Sequence, residues 1–141
     1  MSGVYWKPPP KLGDIVDCRF PEVVGTPGPK DRPALVLQIE DAVDDPQGCV
    51  VVIAYATSQN TTRIFPGEFV VEASGKTGLT KPTKFDLVNR RRLPFDDVWF
   101  SAAINKTPRY PRRGRLDIHD ELVKRKIHAA LQEAKGQDKL A

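Results

Sequence analysis

An arginine opens one apolar segment of this chain and a threonine closes another. Arg32-Pro33-Ala34-Leu35-Val36-Leu37-Gln38 and Ala54-Tyr55-Ala56-Thr57-Ser58-Gln59 lie about one strand and one turn apart. Each runs apolar and β-branched, then places polar groups where a strand meets a loop. Strand ends hold reactive side chains on a rigid scaffold, so one cleft can take both Arg32 and Thr57. A guanidinium is permanently cationic and offers several donors, which suits it to charge developing on phosphoryl oxygens. A hydroxyl on a stiff β-branched side chain orients an oxygen without adding a competing charge.

The elements that must position this pair are mostly strands. Ile15, Val16, Cys18 and Phe20 read as a first strand stopped by Pro21, and a loop with Gly25, Pro27, Gly28 and Pro29 leads to Arg32. Residues 33–40 and 49–57 are predicted as central strands joined through the acidic turn Asp41 to Gln47. Two short strands are expected at 69–72 and 84–88, with another beginning at Arg91 to Leu93. Closely spaced short strands imply a small, curled, mostly antiparallel sheet or barrel. One helix follows: Leu116, Val123, Ile127, Ala130, Leu131 and Ala134 recur at helical spacing, with Asp117 as the expected cap and Gly136 just past the expected end. Its apolar stripe should pack on the sheet or on a partner.

With 141 residues, the chain suits one domain. Pro8, Pro9 and Pro10 mark residues 1–12 as a flexible, extended lead-in, residues 13–136 form the domain, and residues 137–141 are a tail. No apolar run is long enough to cross a bilayer, and no signal-peptide pattern precedes the domain, so a cytoplasmic location is expected. Cys18 and Cys49 lack metal-site spacing and read as buried, reduced thiols; His119 and His128 have no ligand partners in sequence, and neither a metal nor a cofactor is expected. Charge is uneven: residues 1–88 carry nine Lys/Arg against eleven Asp/Glu, residues 89–141 thirteen against seven. The basic end is the one suited to an anion, either nucleic acid or an acidic protein segment.

Gly13-Asp14-Ile15-Val16 opening a strand, Arg32-Pro33-Ala34-Leu35-Val36 on the next, a Val-rich strand ending Ala56-Thr57-Ser58-Gln59, and a basic corner at Asn89 to Arg92 together resemble the PemK/MazF toxins. The similarity covers roughly residues 13–100. The resemblance implies an α+β domain, mostly β, with an SH3-like antiparallel barrel and a C-terminal helix. It also implies a homodimeric, metal-independent endoribonuclease that cuts single-stranded RNA, inhibits growth and is neutralised by a cognate antitoxin. Arg32 and Thr57 occupy the positions that serve cleavage in that family. In metal-free cleavage a 2′-hydroxyl attacks the neighbouring phosphate, which would leave DNA uncut.

Further RNA contacts are expected from Lys30, Ser58, Gln59, Arg63, Asn89, Arg90 and Arg92. Tyr110 to Arg115 interleaves an aromatic with arginines, suiting either stacking with phosphate binding or a basic linker. The chain departs from its relatives at Pro27-Gly28, where they carry Glu-Gln or His, and at Asn89-Arg90, where many carry Asp-Gln. Asn89 cannot serve as a general base. Either Arg32 with water or Thr57 covers proton transfer, or the chain is a non-catalytic RNA- or protein-binding module on the same barrel.

Overall fold

The computed structural model describes residues 3–104 and 106–137; residues 1 and 2 of the expected lead-in and 138–141 of the expected tail lie outside the described residues. Among the described residues six strands and one helix follow in order: β1 (Asp14–Cys18), β2 (Arg32–Asp41), β3 (Cys49–Thr57), β4 (Glu68–Val71), β5 (Thr83–Pro94), β6 (Arg112–Arg115) and α1 (Glu121–Gln137). The strands form one sheet in the order β4-β5-β3-β2-β1-β6, every pair antiparallel. The fold is α+β, as expected, with β2 and β3 at its centre.

Both faces of the central strands are covered, which explains their near-continuous apolar runs. On β2, Leu35 faces one core with Ala54, Phe85 and Leu87, whereas Ala34 and Val36 face a second with Val51, Ile53 and Phe95. Irregular register between Ile15 and Val16, between Val36 and Gln38, and between Ala54 and Tyr55 curls the sheet. The segment after β4 then reaches β6, where the Arg115 N–H donates to the Lys76 carbonyl at 2.8 Å and Gly78 and Gly114 back onto each other's strands. Its two ends thus meet without a pairing between β4 and β6.

Three expectations are corrected. The strands expected at 84–88 and from Arg91 are one strand, because residues 87–89 bulge between the Tyr55–Asp86 and Ala54–Arg90 pairs and the ladder resumes beyond them. The helix is capped by Asp120, whose Oδ1 accepts from the Leu122 and Val123 N–H groups at 3.0 and 3.2 Å, while Asp117 closes a separate preceding turn through the His119 N–H. Gly136 is the next-to-last residue of the helix rather than the one just past its end.

The apolar stripe of α1 packs on the sheet, with Val123, Ile127 and Leu131 against the core that holds Leu35 and Phe85. The described part of the proline-rich segment lies along the second core. There the Trp6 N–H donates to the Phe95 carbonyl and its indole N–H to the Phe100 carbonyl, each at 2.9 Å. Cys18 and Cys49 are free and buried in that same core. Burial raises both thiols, Cys49 to about 11, so neither is a thiolate near neutral pH. No helix among the described residues is long and apolar enough to cross a membrane.

Candidate active site

Antiparallel pairing brings the start of β2 beside the end of β3. Ala34 stands opposite Tyr55, so two residues further along Arg32 comes level with Thr57. Both line a cleft of about 280 Å³, joined by Ser58 and Gln59 from the turn after β3. The Thr57 Oγ1 accepts from the Gln59 N–H at 3.1 Å, which holds the hydroxyl at the turn. The Arg32 guanidinium lies 5.9 Å from the centroid of the Tyr55 ring. That ring packs edge-on against Phe20 at 5.1 Å, and Arg91 covers Phe20 from 5.3 Å. Aromatic packing therefore orients Arg32, and no carboxylate among the described residues pairs with it.

Sequence reasoning missed the rest of the cleft. Asp31 is its single carboxylate among the described residues, accepting from the Ser101 hydroxyl at 2.8 Å. Thr80, Lys81 and Thr83 enter from the β4–β5 connection, and Arg113 from β6. Arg113 is held by Asp17, with both Nε and Nη2 at 2.8 Å from Oδ1. Burial raises the Asp17 carboxyl above the ordinary aspartate value, although the Arg113 charge opposes the shift. One signal was visible for each half of that pair: an acid within the apolar run Ile15 to Cys18, and the arginine-rich run after Tyr110. That run is an edge strand, β6, rather than a linker.

The remaining expected contacts lie elsewhere. Lys30 is exposed in the β1–β2 loop and does not line the cleft. Arg63 is exposed with its guanidinium 6.0 Å from the Phe65 ring, and its carbonyl accepts from Lys84 Nζ at 2.7 Å. Arg90, Arg91 and Arg92 stand opposite Ala54, Ile53 and Val52, about 10–17 Å back along the strand from Thr57. Asn89 accepts from Arg91 Nη1 at 2.9 Å, and Arg92 forms a bidentate pair with Glu40 at 2.6 and 3.0 Å. Arg90 faces the helix across a cavity of about 290 Å³ shared with Leu37, Ile127 and Leu131, and its Nε is buried without a partner.

Lys84 anchors the loop that follows Thr57. Its Nζ donates to the Asn60 and Arg63 carbonyls and lies 3.3 Å from Glu68 Oε1, with both side chains largely buried. The gathered groups are hydroxyls and cations around one carboxylate, a set that can bind a phosphodiester, stabilise charge on its oxygens and accept a proton.

The family model for PemK-like, MazF-like toxins of type II toxin–antitoxin systems matches residues 11–133. The chain belongs to this family. No individual curated protein matches it. As a PemK/MazF-like toxin it falls in a family of generally ribonucleolytic proteins that act with an antitoxin partner. The match begins just before the strand that opens with Asp14 and ends within α1, so it takes in the entire sheet and both halves of the cleft.

Proposed function

We propose that the chain is a metal-independent endoribonuclease that cuts single-stranded RNA and thereby inhibits growth, using the Arg32/Thr57 cleft. The observation that carries this reading is the meeting of Arg32 and Thr57 at neighbouring strand ends, with Asp31, Lys81 and Arg113 around them. The 2′-hydroxyl gives its proton to Asp31 and its oxygen attacks the adjacent phosphorus. The bond to the 5′-oxygen breaks, and that oxygen takes a proton from water. Products are a 2′,3′-cyclic phosphate and a 5′-hydroxyl. Arg32 stabilises the charge on the non-bridging oxygens, while Thr57 orients one of them or the attacking hydroxyl.

The protein acts in the cytoplasm as a homodimer and is silenced by a partly disordered, acidic antitoxin segment folding across the groove. Exposed Val23 and Val24 in the loop before Arg32, and Ile64 and Phe65 in the loop after Thr57, supply apolar area for such contacts. Purified protein incubated with single-stranded RNA in EDTA should yield fragments ending in cyclic phosphate, and Arg32→Ala should not. Intact RNA, or cleavage unchanged in the variant, would sink the reading.

A second reading, a non-catalytic binding module, is favoured by Pro27 and Gly28, which bring no ionisable side chain to the loop, and by Asn89, which is engaged by Arg91. Growth arrest with unbroken cellular RNA would support it.

A further inference from the structure

The active-site cleft is one end of a longer furrow. It shares Thr80 and Arg113 with a cavity of about 550 Å³ that also touches Ile104 and Lys106. Lys106 in turn lines a groove of about 460 Å³ between the proline-rich segment and β6, together with Lys11, Arg109 and Arg112. Shared lining residues set the three depressions side by side from the strand ends to the N-terminal prolines.

Its charge is nearly all of one sign. Lys11, Lys106, Arg109 and Arg112 form no ion pair among the described residues. Beyond Asp31 in the cleft itself, the two carboxylates along the way are already neutralised: Asp14 is fully buried against Arg115 Nε at 2.7 Å, and Asp17 is bound by Arg113. Its floor is rigid as well. The Tyr110 hydroxyl donates to the Pro8 carbonyl at 2.6 Å, the Arg112 guanidinium lies 5.9 Å from the same ring, and the neighbouring prolines restrict the backbone. Unpaired cations spaced along a preformed path match a polymer with one negative charge per unit.

We infer that this furrow binds the RNA strand flanking the cleaved bond, holding its phosphates with Lys11, Lys106, Arg109 and Arg112. This rests on the ribonuclease reading for the identity of the polymer. Adjacency to the cleft favours RNA over an acidic peptide, since a strand held for cleavage at Arg32 must continue into one of the adjoining channels.

The test uses the full chain carrying Arg32→Ala, with labelled 5- and 20-nucleotide single-stranded RNAs titrated across a salt series. The 20-mer should bind at least about tenfold tighter than the 5-mer. Adding Lys11→Gln, Lys106→Gln, Arg109→Gln and Arg112→Gln should abolish that gain and lower the slope of log Kd against log salt by about 3, at about 0.7 per phosphate contact. The milder pair Lys106→Gln and Arg109→Gln, both at exposed positions, should show about half the change in slope. With Arg32 restored, each furrow variant should still cleave the 5-mer. A length gain and slope unchanged by the four substitutions would overturn the inference, as would polyglutamate displacing the 20-mer at equal charge concentration. Length-dependent binding through the furrow without any cleavage by the Arg32 protein sinks the nuclease reading alone; cleavage of the 5-mer without a length gain sinks the furrow alone.

Discussion

The guanidinium of Arg32 rests over the ring of Tyr55, 5.9 Å from its centroid, with no carboxylate among the described residues to neutralise it. A cation oriented by a π-face keeps its charge available to a phosphate. Arg32→Ala should therefore lower the single-turnover cleavage rate about 10²- to 10³-fold, the usual loss for one preorganised transition-state donor. Tyr55→Leu should slow it only about two- to fivefold, matching about 0.5–1 kcal/mol for an exposed cation–π contact. Rates measured alongside thermal denaturation separate the two effects, since Arg32→Ala should leave the melting temperature almost unmoved.

Among the described residues Asp31 is the one carboxylate lining the cleft and is braced by the Ser101 hydroxyl. If it takes the 2′-hydroxyl proton, Asp31→Asn should lower kcat about 10²-fold or more with little change in KM. An unchanged kcat in Asp31→Asn would assign the proton to water or to Thr57.

The two sides of the site were not equally legible in sequence. Arg32 and Thr57 end apolar runs whose pattern marks strands, and such local periodicity survives folding. Arg113 reaches the same cleft only because β6 adds to the far edge of β1 and lies beneath the Lys76–Gly78 segment, a closure set by long-range packing. The Arg90 to Arg92 run resembled a phosphate corner by composition, yet the bulge at residues 87–89 turns its members toward α1, Phe20 and Glu40. Trp6 likewise gave no periodic signal, and its place in the second core depends on the Phe95 and Phe100 carbonyls.

Burial raises the carboxyls of Asp17, Asp86 and Asp96 above the ordinary aspartate value of 3.8. A higher folded than unfolded pKa means that the native state binds the proton more tightly, so across that window stability falls as pH rises. Asp96→Asn keeps an oxygen for the Val98 and Trp99 N–H groups while removing the charge. It should raise the melting temperature at pH 7, and the gain should shrink as pH falls toward the ordinary aspartate value of 3.8. Melting curves across that range would refute the idea if the gain were constant.

Lys84 and Glu68 form a largely buried pair that also fixes the loop after Thr57. Lys84→Met strands the glutamate charge and should cost about 3–5 kcal/mol. Glu68→Gln in the same chain should recover most of that loss, because glutamine still accepts from the Phe65 N–H. Urea titrations of the two single variants and the double variant measure the coupling directly.

Gly78 and Gly114 lie where the segment after β4 crosses β6. A Cβ on Gly114 would collide with the Thr77 carbonyl, and one on Gly78 with the Arg113 carbonyl. Both obstacles are backbone, so relief requires the strands to separate. Gly114→Ala should cost about 1–3 kcal/mol, the usual range for overpacking. Gly78→Ala should cost more, since its φ of +69° also disfavours any side chain. Gly75, by contrast, has open space where a Cβ would stand and needs no positive φ, so Gly75→Ala should be neutral or stabilise by up to about 1 kcal/mol. Because Arg113 stands beside Gly114 on β6, separating the strands also draws that guanidinium from the cleft, and Gly114→Ala should weaken RNA binding where Gly75→Ala does not. Equal affinities in the two variants would show that the crossing serves stability alone.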